Sequence, residues 1–355
     1  MRGLRDSAKI ARVKSAFQAR LVNGPFGDPG LFVALRWTGK ALLFDLGRLD
    51  RFPAAELLKV RAVFVSHTHM DHFIGFDHFL RLFLAREKRV DLYGPWGIVE
   101  NVAGKLRGYT WNLVESYPLV LDVHDVGRDR VRRVRFAARK AFAAEELDVV
   151  PFEGTLLREP GYRVRATHLD HRIDCLAFAL EEDTHLNVRT DELARLGVPP
   201  GPWLNRLKDA VRKGEAPETE IVAEWTKEGR KEKRTFRLGE LRDRLLRETP
   251  GQKIAYVTDA LFSEENVARV VELVRGADLF FCESLFVDAD REQATRRYHM
   301  TARQAGTLAR LAGVRRLEVF HFSPRYDGEP ERLRNEAQAA FDGTLPEDVP
   351  VRGRA

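Results

Sequence analysis

The sequence predicts a layered α/β fold, and three observations predict it. Continuous apolar runs rich in Val, Ile, Leu and Phe recur along the chain, as strands buried on both faces require. Amphipathic helical patterns lie between the later runs. Hydrophobic residues make up 44 % of the 355, which provides ample core. With 32 % charged residues beside that content, wholesale disorder is excluded. No run approaches the roughly 20 apolar residues that span a bilayer. The opening six residues, MRGLRD, lack the apolar stretch of a secretory signal, so a cytoplasmic protein without a membrane partner is expected. Cys175 and Cys282 are the only cysteines, and no disulfide framework is expected. A formal charge of +6 permits an anionic partner but is too small, over this length, to argue for nucleic acid by itself.

Taken in order, the expected strands cover 31–37, 41–46, 62–65, 254–257, 279–282 and 317–320. Val267, Val270, Val271 and Val274 recur at helical spacing and mark one apolar helix face. Thr301 is suited to cap a helix running through Leu308 and Leu311, which Gly313 stops. A last helix is expected over 331–341. The stretch 128–140 is basic with interleaved Val and Phe and reads as an edge strand or hairpin whose charges block aggregation. The stretch 195–247 is polar, opens with the Gly197-Val-Pro-Pro-Gly-Pro-Trp203 run, and shows no sustained apolar period. It reads as an insertion without a core of its own, so residues 1–355 form one domain carrying an arm over 195–250.

The chemistry is marked by how the strands end. Successive apolar runs meet Asp45, His67, Asp259, Glu283 and His321. One such ending is ordinary; five suggest strand ends converging on a polar site, where α/β folds place their ligands. The densest segment is Ser66-His67-Thr68-His69-Met70-Asp71-His72. Its three imidazoles and one carboxylate exceed what a packed core satisfies by hydrogen bonding, and they suit nitrogen and oxygen ligation of divalent metal. His67 and His69 can grip one ion from an extended turn. Asp71 and His72 can face a second as the chain enters a helix.

This His-x-His-x-Asp-His motif resembles that of the metallo-β-lactamase-fold hydrolases, and within them the chain most resembles ribonuclease Z, the tRNA 3′-processing endonucleases. The likeness runs from about Ala41 to Tyr326. The Thr167-His-Leu-Asp-His171 segment is similar to the family's third ligand segment, with His171 as ligand and His168 not. Tyr256-Val-Thr-Asp259 matches the segment whose aspartate bridges two metals. Cys282-Glu-Ser-Leu-Phe286 with His299-Met-Thr-Ala302 resembles a paired Glu and His motif, and His321-Phe-Ser-Pro-Arg-Tyr326 the final ligand segment. The run from Gly197 to Lys208 looks like the root of a tRNA-holding arm.

The resemblance implies a four-layer αββα sandwich with an inserted arm, and a metal-dependent phosphodiesterase removing the 3′ trailer of precursor tRNA. His67, His69 and His171 would hold one ion, and Asp71, His72 and His321 the other, with Asp259 shared and hydroxide between the ions as nucleophile. Zinc is expected, with manganese or iron possible. Asp71 would accept a proton, Glu283 would orient His299 to protonate the leaving oxygen, and Asp45 would fix a ligand imidazole from behind. Arg206, Lys208, Arg212, Lys213, Ser323 and Arg325 are the candidate substrate contacts. A homodimer is implied, and DNA is not expected as a partner. Departures such as Asn23–Gly30 at the usual Gly-Thr-Ser opening fall on the substrate side. They keep open a hydrolase of a small phosphodiester, lactone or sulfate ester. A non-catalytic RNA-binding or scaffold protein is the third reading.

Overall fold

Continuous apolar runs become the central strands of two sheets. The computed structural model describes residues 16–350 apart from Trp37, Glu228, Gly229 and Glu347. The N-terminal stretch read for a signal, and the expected end of the first strand at Trp37, lie outside the described residues. In chain order the strands are β1 (Phe17–Leu21), β2 (Leu31–Leu35), β3 (Lys40–Phe44), β4 (Val60–Phe64), β5 (Arg89–Pro95) and β6 (Val120–Val126). These are followed by β7 (Arg130–Ala137), β8 (Ala144–Pro151), β9 (Thr155–Glu159), β10 (Tyr162–Asp170), β11 (Asp174–Glu182) and β12 (His185–Val188). The last six are β13 (Glu220–Lys227), β14 (Arg230–Arg237), β15 (Leu246–Thr249), β16 (Lys253–Val257), β17 (Leu279–Glu283) and β18 (Leu317–Phe320).

Strands β1 to β8 lie side by side in sequence order in an eight-stranded sheet. Its middle, β3 to β6, is parallel, and antiparallel pairs flank it. The six-stranded sheet has the order β18-β17-β16-β11-β10-β9, with β16 to β18 parallel. An aromatic layer fills the space between the sheets: Phe44 stacks on Phe64 at 5.1 Å, Phe64 on Tyr93 at 5.0 Å, and both Phe44 and Phe64 meet Phe178 of the second sheet. Helices Phe76–Phe83 and Ile98–Arg107 cover the outer face of the first sheet through Phe76, Phe79, Phe83, Ile98 and Val102. Helices Glu264–Val274, Ala302–Leu311 and Pro330–Phe341 cover the second through Val270, Leu273, Leu308 and Leu333. The result is a four-layer αββα sandwich. Thr301 caps its helix, its side chain accepting from the Gln304 amide while the Gln304 side chain accepts from the Thr301 amide.

Two expectations change. Of the two readings of the basic stretch 128–140, the hairpin holds and the edge does not: β7 pairs antiparallel with β6 on one side and β8 on the other. Its arginines are matched across strands, Arg132 to Glu146 at 2.6 Å, Arg135 to Asp122 at 2.7 Å, and Arg133 to Asp148. The polar insertion also has a core. Residues Glu182–Gly251 form a compact unit of their own, the rest of the chain forming the other. Within it Leu186, Leu193, Trp203, Leu207, Phe236 and Leu241 are buried together, and β12 pairs with β15 at its root. Its apolar residues are shared among short elements, helical in Trp203–Arg212 and alternating in β13, so no period persists along the sequence. Among the described residues, no helix is long and apolar enough to cross a membrane.

Candidate metal centre

Each strand end delivers one polar side chain. After β3 the chain turns at Asp45 in the left-handed region, φ 59°. The buried Asp45 carboxylate accepts from the Ser66 amide at 2.6 Å, the Ser66 hydroxyl at 2.9 Å and the Tyr256 hydroxyl at 2.9 Å. It also lies 3.0 Å from His72 Nδ1, so that nitrogen carries the proton and Nε2 is left facing inward. Strand β4 leads to His67, and His69 opens the short helix Met70–Phe73 that carries Asp71 and His72. The turn between β10 and β11 supplies His171, whose Nδ1 donates to the Tyr298 carbonyl at 2.7 Å. Asp259 lies two residues beyond β16, Glu283 ends β17, and His321 follows β18 directly. His299 follows Tyr298, itself left-handed at φ 61°, and its Nδ1 lies 2.9 Å from Glu283 Oε2.

Three groups of donors form, each with its atoms within 4.8 Å of one another. The first is His67, His69, His171 and Asp259; the second is Asp71, His72, Asp259 and His321; the third is Asp259, Glu283, His299 and His321. Asp259 Oδ2 lies 3.5 Å from His171 Nε2 and 3.3 Å from His72 Nε2, while Oδ1 lies 2.9 Å from His321 Nδ1. His72 Nε2 and His321 Nδ1 are nevertheless buried without a hydrogen-bond partner. Buried polar atoms left unpaired are costly. Lone pairs crowded around common space in this way fit a divalent cation, and the all-nitrogen-and-oxygen donor set suits zinc, manganese or iron. Cys175, 3.8 Å from His67, is kept a thiol by burial.

The electrostatics divide the imidazoles. Burial, reinforced by His72, pushes His67 down to about 2, and burial with His171 lowers His69. Both stay neutral and ready to donate lone pairs. Burial also opposes charge on His72 and His321, but Asp259 outweighs it: His72 is raised well above its ordinary value and His321 to about 10. His321 and His72, 3.3 and 3.4 Å away, overcome burial and hold Asp71 far below the usual carboxylate range. These protons are the ones a cation must displace.

No family model matches the chain. Ribonuclease Z of Deinococcus radiodurans is 35 % identical over 331 residues, covering 91 % of this chain and 95 % of that protein. The chain belongs to the ribonuclease Z family. Ribonuclease Z of a Synechococcus strain is likewise 35 % identical, over 85 % of this chain and 84 % of its own length. Among solved structures, the metallo-β-lactamase fold protein YhfI from Bacillus subtilis shares the fold with a TM-score of 0.51 at 15 % identity, covering 92 % and 93 % of the two chains. A long-form RNase Z from yeast also reaches 0.51 at 12 % identity, over 89 % of this chain and 39 % of that one.

In this ribonuclease Z family member the remaining candidates are scattered. Ser323 and Arg325 follow β18, where the Ser323 amide donates to the Leu285 carbonyl and Arg325 pairs with Asp290 at 3.3 Å. Arg206, Lys208, Arg212 and Lys213 lie in the unit Glu182–Gly251. There Arg206 donates to the Val222 carbonyl at 2.7 Å and Arg212 pairs with Asp209 at 3.3 Å. Sequence reasoning missed Tyr256 and Tyr298. A tyrosine in a fully buried strand signals a hydroxyl needing a partner; a backbone carbonyl such as that of Tyr298 leaves no sequence signal.

Proposed function

We propose that this protein is a metal-dependent phosphodiesterase that removes the 3′ trailer of precursor tRNA. The observation that carries this reading is Asp259 standing in all three four-donor groups, in a chain 35 % identical to ribonuclease Z along most of both lengths. His67, His69 and His171 would hold one divalent ion, and Asp71, His72 and His321 a second, with Asp259 common to both. Two such ions, zinc or else manganese or iron, would supply Lewis acidity towards the phosphodiester and acidify water towards neutral pH. Asp45 holds His72 in the tautomer that leaves Nε2 free. Asp71, whose side chain is 41 % exposed, accepts the proton of the attacking water. Burial opposes charge on His299, but Glu283 and Asp259 outweigh it and raise its pKa, so it keeps a proton for the leaving oxygen. The unit Glu182–Gly251 is the inserted arm of an otherwise single hydrolase domain, and grips the tRNA body with Arg206, Lys208, Arg212 and Lys213. Ser323 and Arg325 contact the substrate near the cut. A cytoplasmic homodimer, one subunit's arm serving the other's site, completes the reading.

The test is cleavage of a precursor tRNA with mapping of the cut, alongside elemental analysis of the purified protein. A single cut at the trailer junction with two metal equivalents is expected. Hydrolysis of a small chromogenic diester, with the precursor left intact, would select the small-ester hydrolase instead.

A further inference from the structure

Strand β9 stops short of the metal centre. It pairs with β10 only as far as Thr155 opposite Arg165, and the Ala166 amide then bonds the Gly154 carbonyl. Beyond that point side chains of the helix Glu264–Val274 take over the β10 edge: Arg269 donates to the His168 carbonyl at 3.1 Å, and Asn266 pairs with both the amide and the carbonyl of Asp170. The missing strand leaves a recess of about 430 Å³, lined by Arg128, Phe152, Arg165, His168 and Arg269 among others. It begins three residues before His171, and Arg128 is tied to the same turn through Asp174 at 2.8 Å.

The lining carries three arginines, Arg128, Arg165 and Arg269, against one carboxylate, Glu272. Glu181 is the carboxylate for Arg163 at 2.7 Å, Lys253 at 3.1 Å and Arg165 at 3.7 Å. One anion thus serves three cations, and Arg165 is the most weakly held. Trp96, 53 % exposed, packs its ring over Gly127, the residue before Arg128 of the lining, where a Cβ would approach it to 3.3 Å. An exposed tryptophan next to arginines is the pairing that single-stranded nucleic acid requires, a base stacking on the ring and phosphates meeting the cations. A cavity of this size suits one nucleotide. A duplex, convex along its whole length, cannot enter it.

We propose that this recess binds single-stranded RNA beside the metal centre and receives the 3′ trailer of the substrate, an assignment that rests on the endonuclease reading above. The trailer is the strand that leaves the cut without returning to a duplex, so it alone can follow the β10 edge outward.

Two measurements test this. The first is anisotropy of a labelled single-stranded RNA of about ten nucleotides with the full-length protein, where Arg165→Ala and Trp96→Ala should each weaken binding about fivefold or more. Arg165→Lys keeps the charge and should restore most of the loss, which separates an electrostatic role from a folding defect. Wild-type affinity in both alanine variants overturns the site, whatever happens to precursor tRNA. The second compares precursors whose trailers are about one and about ten nucleotides long. Wild-type protein should favour the long trailer, and both alanine variants should lose that preference. An equal loss on both precursors overturns the trailer assignment. If wild-type protein cuts neither precursor while the variants still bind RNA more weakly, the single-strand site stands, and the endonuclease reading and the trailer assignment fall together.

Discussion

Asp259 belongs to all three donor groups and is buried two residues beyond β16. Its carboxylate faces His67, His72, His171 and His321 within 3.7 Å, so removing it takes an oxygen from both proposed ion sites at once. Asp259→Ala should therefore lower metal content from two equivalents to near none; full occupancy by elemental analysis would refute the shared role. His299 differs, because Glu283 and Asp259 hold its proton while burial opposes it. A group with a raised pKa acts as an acid until the pH climbs through that value. Glu283→Gln removes much of the support, so the alkaline limb of kcat should move to lower pH. His299→Ala should cost about 10²-fold or more in kcat with metal retained. An unmoved alkaline limb in Glu283→Gln would exclude His299 as the acid. At this scale the sequence was informative. Asp45, His67, Asp259, Glu283 and His321 could be read because each interrupts an apolar run at its end. Tyr298 could not, since its carbonyl acts on His171 and any residue supplies a carbonyl.

Elements hold these side chains in place through close packing, and the helix pair Ala302–Leu311 and Pro330–Phe341 shows how. Gly306 lies where the two meet, and a Cβ there would collide with the Ala337 carbonyl and the Ala340 side chain. Backbone carbonyls cannot rotate away as a side-chain tip can. Gly306→Ala should destabilise the protein by about 1–3 kcal/mol through forced separation of the helices, measured as a lower denaturant midpoint. An unchanged midpoint would mean the pair can slide without loss. Helical periodicity and the Thr301 cap made these helices legible, because both are local signals. Strand β7 was legible as part of a hairpin but not as an interior strand, for the opposite reason. Its basic character suits a solvated edge, but the acids that neutralise it lie on β6 and β8, and cross-strand pairing is invisible along one chain.

The connection between β11 and β16 organises the molecule as a whole. These strands are antiparallel neighbours, Leu180 opposite Ile254 and Glu181 opposite Lys253, so the entire unit Glu182–Gly251 stands where a hairpin turn would suffice. Its burial is internal: Trp203, Leu207 and Leu241 pack on one another in a cluster of their own. Such an insertion adds little to the core that positions the proposed metal ligands, all of which lie in the other unit. Replacing 182–251 by a tight Asn-Gly turn, whose twist matches antiparallel strands, should leave the sandwich folded. The shortened protein should keep its metal and hydrolyse a small phosphodiester at a rate within a few-fold of wild type, because chemistry at the ions needs none of the removed residues. Cleavage of precursor tRNA should fall by orders of magnitude, since Arg206, Lys208, Arg212 and Lys213 depart with the unit, and the salt dependence of RNA binding should flatten with them. Equal loss of both activities, with metal content intact, would show that the unit supports the catalytic centre itself and is not an arm for holding the tRNA body.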